Sequence, residues 1–302
     1  MKRLIVTADD FGAAREVNDA VEAAHLGGIL TAASLMVGAP AASDAVARAR
    51  RMPSLRVGLH LVLVDGRPVL PASTVPDLVD SSGHFRSGMA RAGAAMVFNP
   101  RARRQLAAEI AAQFEAFRAS GLALDHCNAH KHFHLHPVIG SLMAKIGQRF
   151  GLRAVRVPLE PRSVLARVEP VTMQATAWLT APWARLLRRR MAAHGILTPN
   201  QVFGLRWSGA MTSDRIGGLL RHLPEGLSEI YLHPATSGGF SGAAADYQYR
   251  KEFEALLAPE TIASARDSAL HLGGFADFLK SDPGATVART SRNAGPNRSS
   301  TL

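Results

Sequence analysis

Short apolar runs alternate along this chain with longer stretches in which apolar residues recur every three or four positions. Residues 4–8 are apolar apart from Thr7, the pattern of a strand buried on both faces. Similar runs occur at 32–37, 55–63, 154–158 and 229–234. With weaker ones leading into residue 126, at 203–205 and at 269–275, they predict about eight strands. Between them, Val17, Val21 and Ala24 share one face of a helix over 13–25 that Gly27 and Gly28 stop. Further helices are predicted over 41–50, 138–150, 216–223 and 247–257. The strongest begins at Asn99-Pro100 and carries Leu106, Ile110, Phe114 and Phe117 as its apolar stripe. Residues 64–97, rich in glycine, proline and serine, predict a long loop of the kind that carries binding residues. Repeated strand-then-helix is the pattern of a parallel sheet with right-handed crossovers.

Polar residues gather where these strands end. The first run closes on Asp9-Asp10-Phe11-Gly12. Adjacent carboxylates there are costly unless a cation or donors satisfy them. One can hold a metal while its neighbour takes a proton; the alternative is a helix N-cap beside a loop aspartate. His60 interrupts the third strand, where Gly58 is expected to leave room beside it. Residues 128–137 carry histidines at 130, 132, 134 and 136, and His126 extends the series backwards. Read as a strand, this stretch points Asn128 and His130 one way and Cys127, Ala129 and Lys131 the other. Pro137 then opens the next helix. Arg156 is placed to pair with Asp9 or to hold substrate, and His233-Pro234 repeats the ending of His136-Pro137.

Chemistry at the ends of several non-neighbouring strands favours a parallel (β/α) barrel-like fold over an open sheet. Asp10, His60 and His130, one carboxylate and two imidazoles with open positions, are the expected ligands of one divalent metal ion. Asp9 is expected to take a proton from water, His233 to give one to the leaving group, and Arg156 to orient Asp9 or the substrate. A metal so held lowers the pKa of its water to roughly 7. The implied reaction is hydrolysis of an amide or ester. Mixed nitrogen and oxygen ligands permit Zn2+, and a weaker site takes Mg2+, manganese or cobalt.

Composition adds limits. With 302 residues, 47% of them hydrophobic and 20% charged, the chain can bury a full core. We read 1–280 as one domain with a Trp/Arg-rich insert around 170–205, and 281–302, nearly devoid of apolar residues, as a disordered tail. The single cysteine, Cys127, excludes an internal disulfide and suits a reducing, cytoplasmic compartment. The first residues do not match a signal peptide, and no stretch has transmembrane length. The net charge of +11 suits an anionic partner, yet no nucleic-acid motif accompanies it. In the insert, Met173, Trp178, Leu179, Trp183, Leu186, Leu187 and Met191 are mixed with Arg185, Arg188, Arg189 and Arg190. Such a basic amphipathic helix either lies in a membrane interface or packs as a lid with its arginines in water.

The motifs around Asp9-Asp10, Gly58-Leu59-His60-Leu61, the run from His130 to His134, and Glu229-Ile230-Tyr231-Leu232-His233-Pro234 together resemble the YdjC-like carbohydrate deacetylases. The resemblance spans Met1 to about Phe275. It implies a barrel-like fold related to polysaccharide deacetylases, a divalent metal on Asp10, His60 and His130, Asp9 as base, and removal of acetyl from an N-acetylated sugar. One departure stands out: Asn128-Ala129-His130 replaces the usual Asp-Ser-His. Asparagine still accepts a hydrogen bond but carries no charge. The variant run through Pro137 resembles the subgroup associated with hopanoid biosynthesis. That implies an N-acetylglucosaminyl lipid, deacetylated at the inner membrane face. Other readings are a chitooligosaccharide deacetylase, a metal-dependent esterase or phosphodiesterase, and a non-catalytic sugar-lipid carrier. A phosphodiesterase more often needs bridging carboxylates for two metals. Oligomeric state has no signature in the sequence.

Overall fold

The computed structural model describes residues 1–170, 175–266 and 269–279. The strands are β1 (Lys2–Phe11), β2 (Ala32–Leu35), β3 (Arg56–Leu61), β4 (Cys127–Ala129), β5 (Gln201–Phe203), β6 (Gly226–Leu232) and β7 (Leu270–Leu272). The helices that join β1 to β4 are α1 (Arg15–Gly27), α2 (Ala42–Arg51), α3 (Met89–Phe98) and α4 (Pro100–Ala119). Then come α5 (Pro137–Gln148), α6 (Arg162–Val168), α7 (Ala175–Ala193) and α8 (Ser213–His222). After β6 follow α9 (Tyr249–Leu257), α10 (Pro259–Ala265) and α11 (Phe275–Phe278).

All strand pairs are parallel, in the order β4-β3-β2-β1-β6-β5, with β7 beside the beginning of β1. The core of β1 is Leu4, Ile5, Val6 and Ala8, all fully buried, as the opening run requires. Backbone hydrogen bonds continue past both edges. Cys127 donates to Ala154 O at 3.0 Å and Arg156 to Cys127 O at 3.2 Å, while Val202 donates to Leu159 O at 2.9 Å. Segment 154–159 thus joins β4 to β5 and curls the sheet into a barrel-like ring. The strand expected at 154–158 is reduced to isolated bridges at Ala154 and Val155. Pro158 has no amide to donate, and Arg156 is drawn inwards. Of the expected closing strand, only Leu270–Leu272 is extended; Phe275 begins α11.

The α4 stripe behaves as predicted. Leu106, Ile110, Phe114 and Phe117 are buried, and Asn99 caps the helix by accepting from Arg101 N and Ala102 N. A second buried row on the same helix was not foreseen. Gln105 holds Asp77, Glu109 accepts from Val69 N and Leu70 N, and Gln113 both donates to Val62 O and accepts from its amide. Three side chains spaced one turn apart thereby fasten the segment after β3. The predicted loop over 64–97 also contains most of α3. That helix escaped notice because its apolar residues are interspersed with Gly93 and alanines and show no polar face.

In α7, Ala184, Leu187 and Met191 are buried and Trp183 is 46% exposed. Arg188 donates to Asn200 O and Arg190 to Pro137 O and Ser141 Oγ, so both reach back to the body. Met173, the side chains of Trp178 and Leu179, and the 281–302 tail lie outside the described residues. No described helix is long and apolar enough to cross a membrane.

Candidate metal centre and active site

Consecutive strand residues point to opposite faces, so Asp9 and Asp10 should diverge. They do not, because β1 bulges against β2 between Ala8 and Phe11, and Asp10 takes a φ of +61°. A bulge re-aims side chains, here bringing both carboxylates into one cluster at the carboxyl ends of the strands. A left-handed residue other than glycine costs on the order of 1–3 kcal/mol and persists only where its surroundings hold it.

Asp10 Oδ1 lies 3.3 Å from His60 Nε2 and 3.2 Å from His130 Nδ1. One ligand atom from each of the three lies within 4.8 Å of the others. His60 is 2% exposed at the end of β3, and its Nε2 is a buried atom with no hydrogen-bond partner. His130 follows β4 directly, its ring edge-on to that of His60 at 5.7 Å. Burial alone would raise the Asp10 carboxyl, yet His130 and His60 hold it well below the usual carboxylate range. Burial opposes charge on His60 as well, but Asp9 and Asp10 raise its pKa. An ionised carboxylate and two imidazole nitrogens aimed at it, one of them the orphaned His60 Nε2, fit a cation with three protein ligands.

Asp9 is occupied differently. Arg156, fully buried, donates from Nη1 to Asp9 Oδ2 at 2.5 Å and from Nη2 to Asp9 Oδ1 at 3.0 Å. The same guanidinium donates to Glu229 Oε1 from Nε at 2.9 Å and Nη2 at 2.7 Å, and stacks on Tyr231 at 4.4 Å. Of the two roles expected for Arg156, the pairing with Asp9 is the one the structure shows, buried and bidentate. Burial would raise the Asp9 carboxyl, but Arg156 and then His60 outweigh it and depress it far below normal. Asp9, Asp10 and Glu229 against Arg156 leave two formal negative charges, which a divalent cation would balance.

The histidine run is not a strand beyond Ala129. Residues His130–Leu135 form a 3-10 segment in which Lys131 and His132 adopt φ of 52° and 53°. The four side chains consequently part company. His130 joins Asp10; His132 Nε2 meets Tyr231 Oη at 2.8 Å; His134 Nε2 accompanies Arg156 O at 2.9 Å; His136 packs near Gly93. Burial lowers the pKa of His132 strongly and that of His134 to about 4. Lys131 pairs with Asp65. Nor does Gly58 make room for His60. Its missing Cβ is the space filled by the His126 ring, 2.5 Å from where that atom would stand.

His233 follows β6 at the same end of the ring. Its backbone amide donates to Glu252 Oε2 at 2.5 Å, its ring lies 5.0 Å from that of Tyr247, and its Nδ1 is buried without a partner. Sequence reasoning gave no role to Glu229 or Tyr231 within their motif and missed Glu252 and Ser34. Glu229 left a signal: a carboxylate inside the apolar run of β6 needs a buried cation.

Metal-ligand candidates and an ion-paired aspartate at the strand ends of a parallel ring describe a hydrolase-like centre of the α/β barrel class. The chain belongs to the family described as YdjC-like protein, whose model matches residues 3–266. It is 29% identical to a carbohydrate deacetylase of Geobacillus stearothermophilus over 91% of this chain and 98% of the relative. It is 31% identical to a human carbohydrate deacetylase over 94% of each chain. A crystal structure of a candidate cellobiose-phosphate cleavage protein from Enterococcus faecalis V583 superposes with a TM-score of 0.71. That match covers 92% of this chain and 98% of the other at 23% identity, and bears on the fold alone.

Proposed function

We propose that this protein is a metal-dependent carbohydrate N-deacetylase acting on an N-acetylglucosamine-bearing substrate. The observation that carries the reading is the triad Asp10, His60 and His130 beside an Asp9 held ionised by Arg156, in a chain whose relatives are carbohydrate deacetylases. Asp10, His60 and His130 would hold a divalent cation, Mg2+ or Zn2+, which would supply Lewis acidity and lower the pKa of a nearby water. Asp9 accepts a proton from the attacking water. Arg156 fixes both its oxygens, so the base neither rotates away nor carries a proton at neutral pH. As the C–N bond breaks, His233 gives its proton to the departing amine, and acetate and the free amino sugar remain. Glu252 sets where the His233 backbone sits.

For the particular substrate we infer an N-acetylglucosaminyl hopanoid, deacetylated by a cytoplasmic protein at the inner membrane face. Two features support it: the Asn128-to-Pro137 run that resembles the hopanoid-associated subgroup, and exposed Trp183 near Arg185 and Arg189 on α7. Mass spectrometry of purified protein offered this lipid and N-acetylated chitooligosaccharides, with and without chelator, tests both levels. Chelator-sensitive loss of one acetyl from the lipid alone is the expected result. Loss from the oligosaccharides alone would keep the chemistry and remove the lipid. No loss from either, with metal bound, would leave a carrier or esterase.

A further inference from the structure

Beneath the candidate ligands lies a line of buried polar groups from four different parts of the chain. Asp125 Oδ2 is 2.9 Å from His126 Nδ1, His126 Nε2 is 3.0 Å from Ser34 Oγ, and Ser34 Oγ is 2.9 Å from Asn128 Nδ2. Asn128 Nδ2 also reaches Asp9 Oδ1 at 3.2 Å, and Asn128 Oδ1 meets His60 Nδ1 at 2.7 Å. Asp125, His126, Ser34 and Asn128 are between 0 and 4% exposed. The first three reproduce the connectivity of a Ser-His-Asp triad. With no exposure, and its oxygen turned to Asn128, Ser34 offers no nucleophile to substrate.

With His126 a neutral imidazole, the direction of every bond in this line follows from one end. Asp125 accepts from the backbone amides of Phe275 at 3.2 Å and Ala276 at 2.8 Å, groups that can only donate. Asp125 is therefore the acceptor towards His126, which carries its proton on Nδ1 and presents a bare Nε2. Ser34 must donate to that nitrogen, so its oxygen accepts from Asn128. The Asn128 amide then has its nitrogen towards Ser34 and Asp9 and its oxygen towards His60. His60 must donate from Nδ1, so Nε2 is the nitrogen turned to Asp10 and the one left to ligate a metal. A flipped amide would place a donor against His60 Nδ1 and move the His60 proton to Nε2, where no metal could bind.

We propose that Asp125, His126 and Ser34 are positioning residues: together with Asp9 they hold the Asn128 amide in one orientation and so select the His60 tautomer able to ligate a metal. A carboxylate at 128 could accept from His60 through either oxygen and would need no such reader. An amide has two unlike ends and does. The ring of His126 is itself held, between Gly58 and Phe275, on which it stacks at 4.4 Å.

The inference rests on the metal reading for its consequence, but the tautomer can be read without metal. In apo protein with nitrogen-15-labelled histidine, long-range proton–nitrogen spectra report which His60 nitrogen is protonated, assigned by loss of its signals in H60N. Competition with a chromogenic chelator gives the affinity for Zn2+ alone. The wild type is expected to show the Nδ1-protonated form. S34A, and H126F, which keeps a ring against Phe275 but offers Ser34 no acceptor, are expected to mix the tautomers. Both should weaken Zn2+ about 10- to 100-fold, the usual cost of losing an outer partner of a ligand. A His60 tautomer unchanged in both variants, or active-site labelling of Ser34 by a fluorophosphonate, would overturn the proposal. Tautomers that shift in a protein whose wild type binds no Zn2+ would uphold the relay and remove the metal.

Discussion

The two walls of the site differ in how completely their polar groups are paired. On the β2–β4 wall, Ser34, Asn128 and His126 have partners throughout, and the buried atom left over is His60 Nε2. Towards β6, His233 Nδ1, Glu229 Oε2 and the Nδ1 of His132, whose Nε2 meets Tyr231, are buried without partners, as are His134 Nδ1 and His136 Nδ1 further along the segment after β4. Unpaired buried groups are costly, so leaving several on one wall marks the side where something else must complete them. On the proposed function, the paired wall holds a ligand atom still and the unpaired wall meets a substrate or exchanges a proton.

Arg156 joins the two walls, and removing it should do the most damage. R156M leaves Asp9 and Glu229 as neighbouring buried carboxylates without their cation. The expected loss is about 3–5 kcal/mol in urea unfolding, together with nearly all deacetylation. A variant as stable as wild type would mean that the walls do not depend on each other.

Next come the walls taken singly. H233A is expected to slow turnover by roughly 10²–10⁴-fold and to leave Zn2+ affinity within about twofold. H60A should abolish tight Zn2+ binding, exceeding the roughly 10- to 100-fold cost of an outer partner. Equal effects of both on metal affinity in a chelator competition would erase the distinction.

The smallest effect concerns Glu160, next to the unpaired wall. Burial pushes its carboxyl up to about 7, against three backbone amides, those of Gly204, Leu205 and Arg206, that favour its charge. Between the ordinary value of 4.5 and about 7, the folded chain holds a proton that the unfolded chain has released. Stability should therefore fall as pH rises through that window, by at most roughly 3 kcal/mol, and E160Q should flatten the slope. Thermal midpoints from pH 4.5 to 7.5 measure it; a rise attributable to Glu160 would reverse the sign.

How far the sequence could be read follows from the range of each interaction. β1 and β6, and the end of β3 at His60, were legible because a short apolar run and the residue that ends it are neighbours in the chain. The bulge at Asp10 and the left-handed pair Lys131 and His132 were not, since none is a glycine and nothing local announces the turn. The histidines were counted correctly, but the alternation that points Asn128 and His130 one way stops at Ala129, and the structure gives each of the four its own setting. The relay through Ser34 was beyond reach because its bonds span separations of 92 and 94 residues. A serine in a small-residue strand reads as filler until the fold supplies its neighbour.

The ring closes over segment 154–159 by isolated bridges and single backbone bonds, and Glu160 finishes the closure by gathering the amides that follow β5. Arg156, which holds Asp9, stands four residues earlier on the same irregular stretch. Architecture and chemistry are thus written into one short passage of chain. An engineer who regularised it into a proper strand for robustness would reset the angle of Arg156. One who retuned Arg156 for a new substrate would be working on the seam that keeps the barrel shut, so the two improvements have to be designed together.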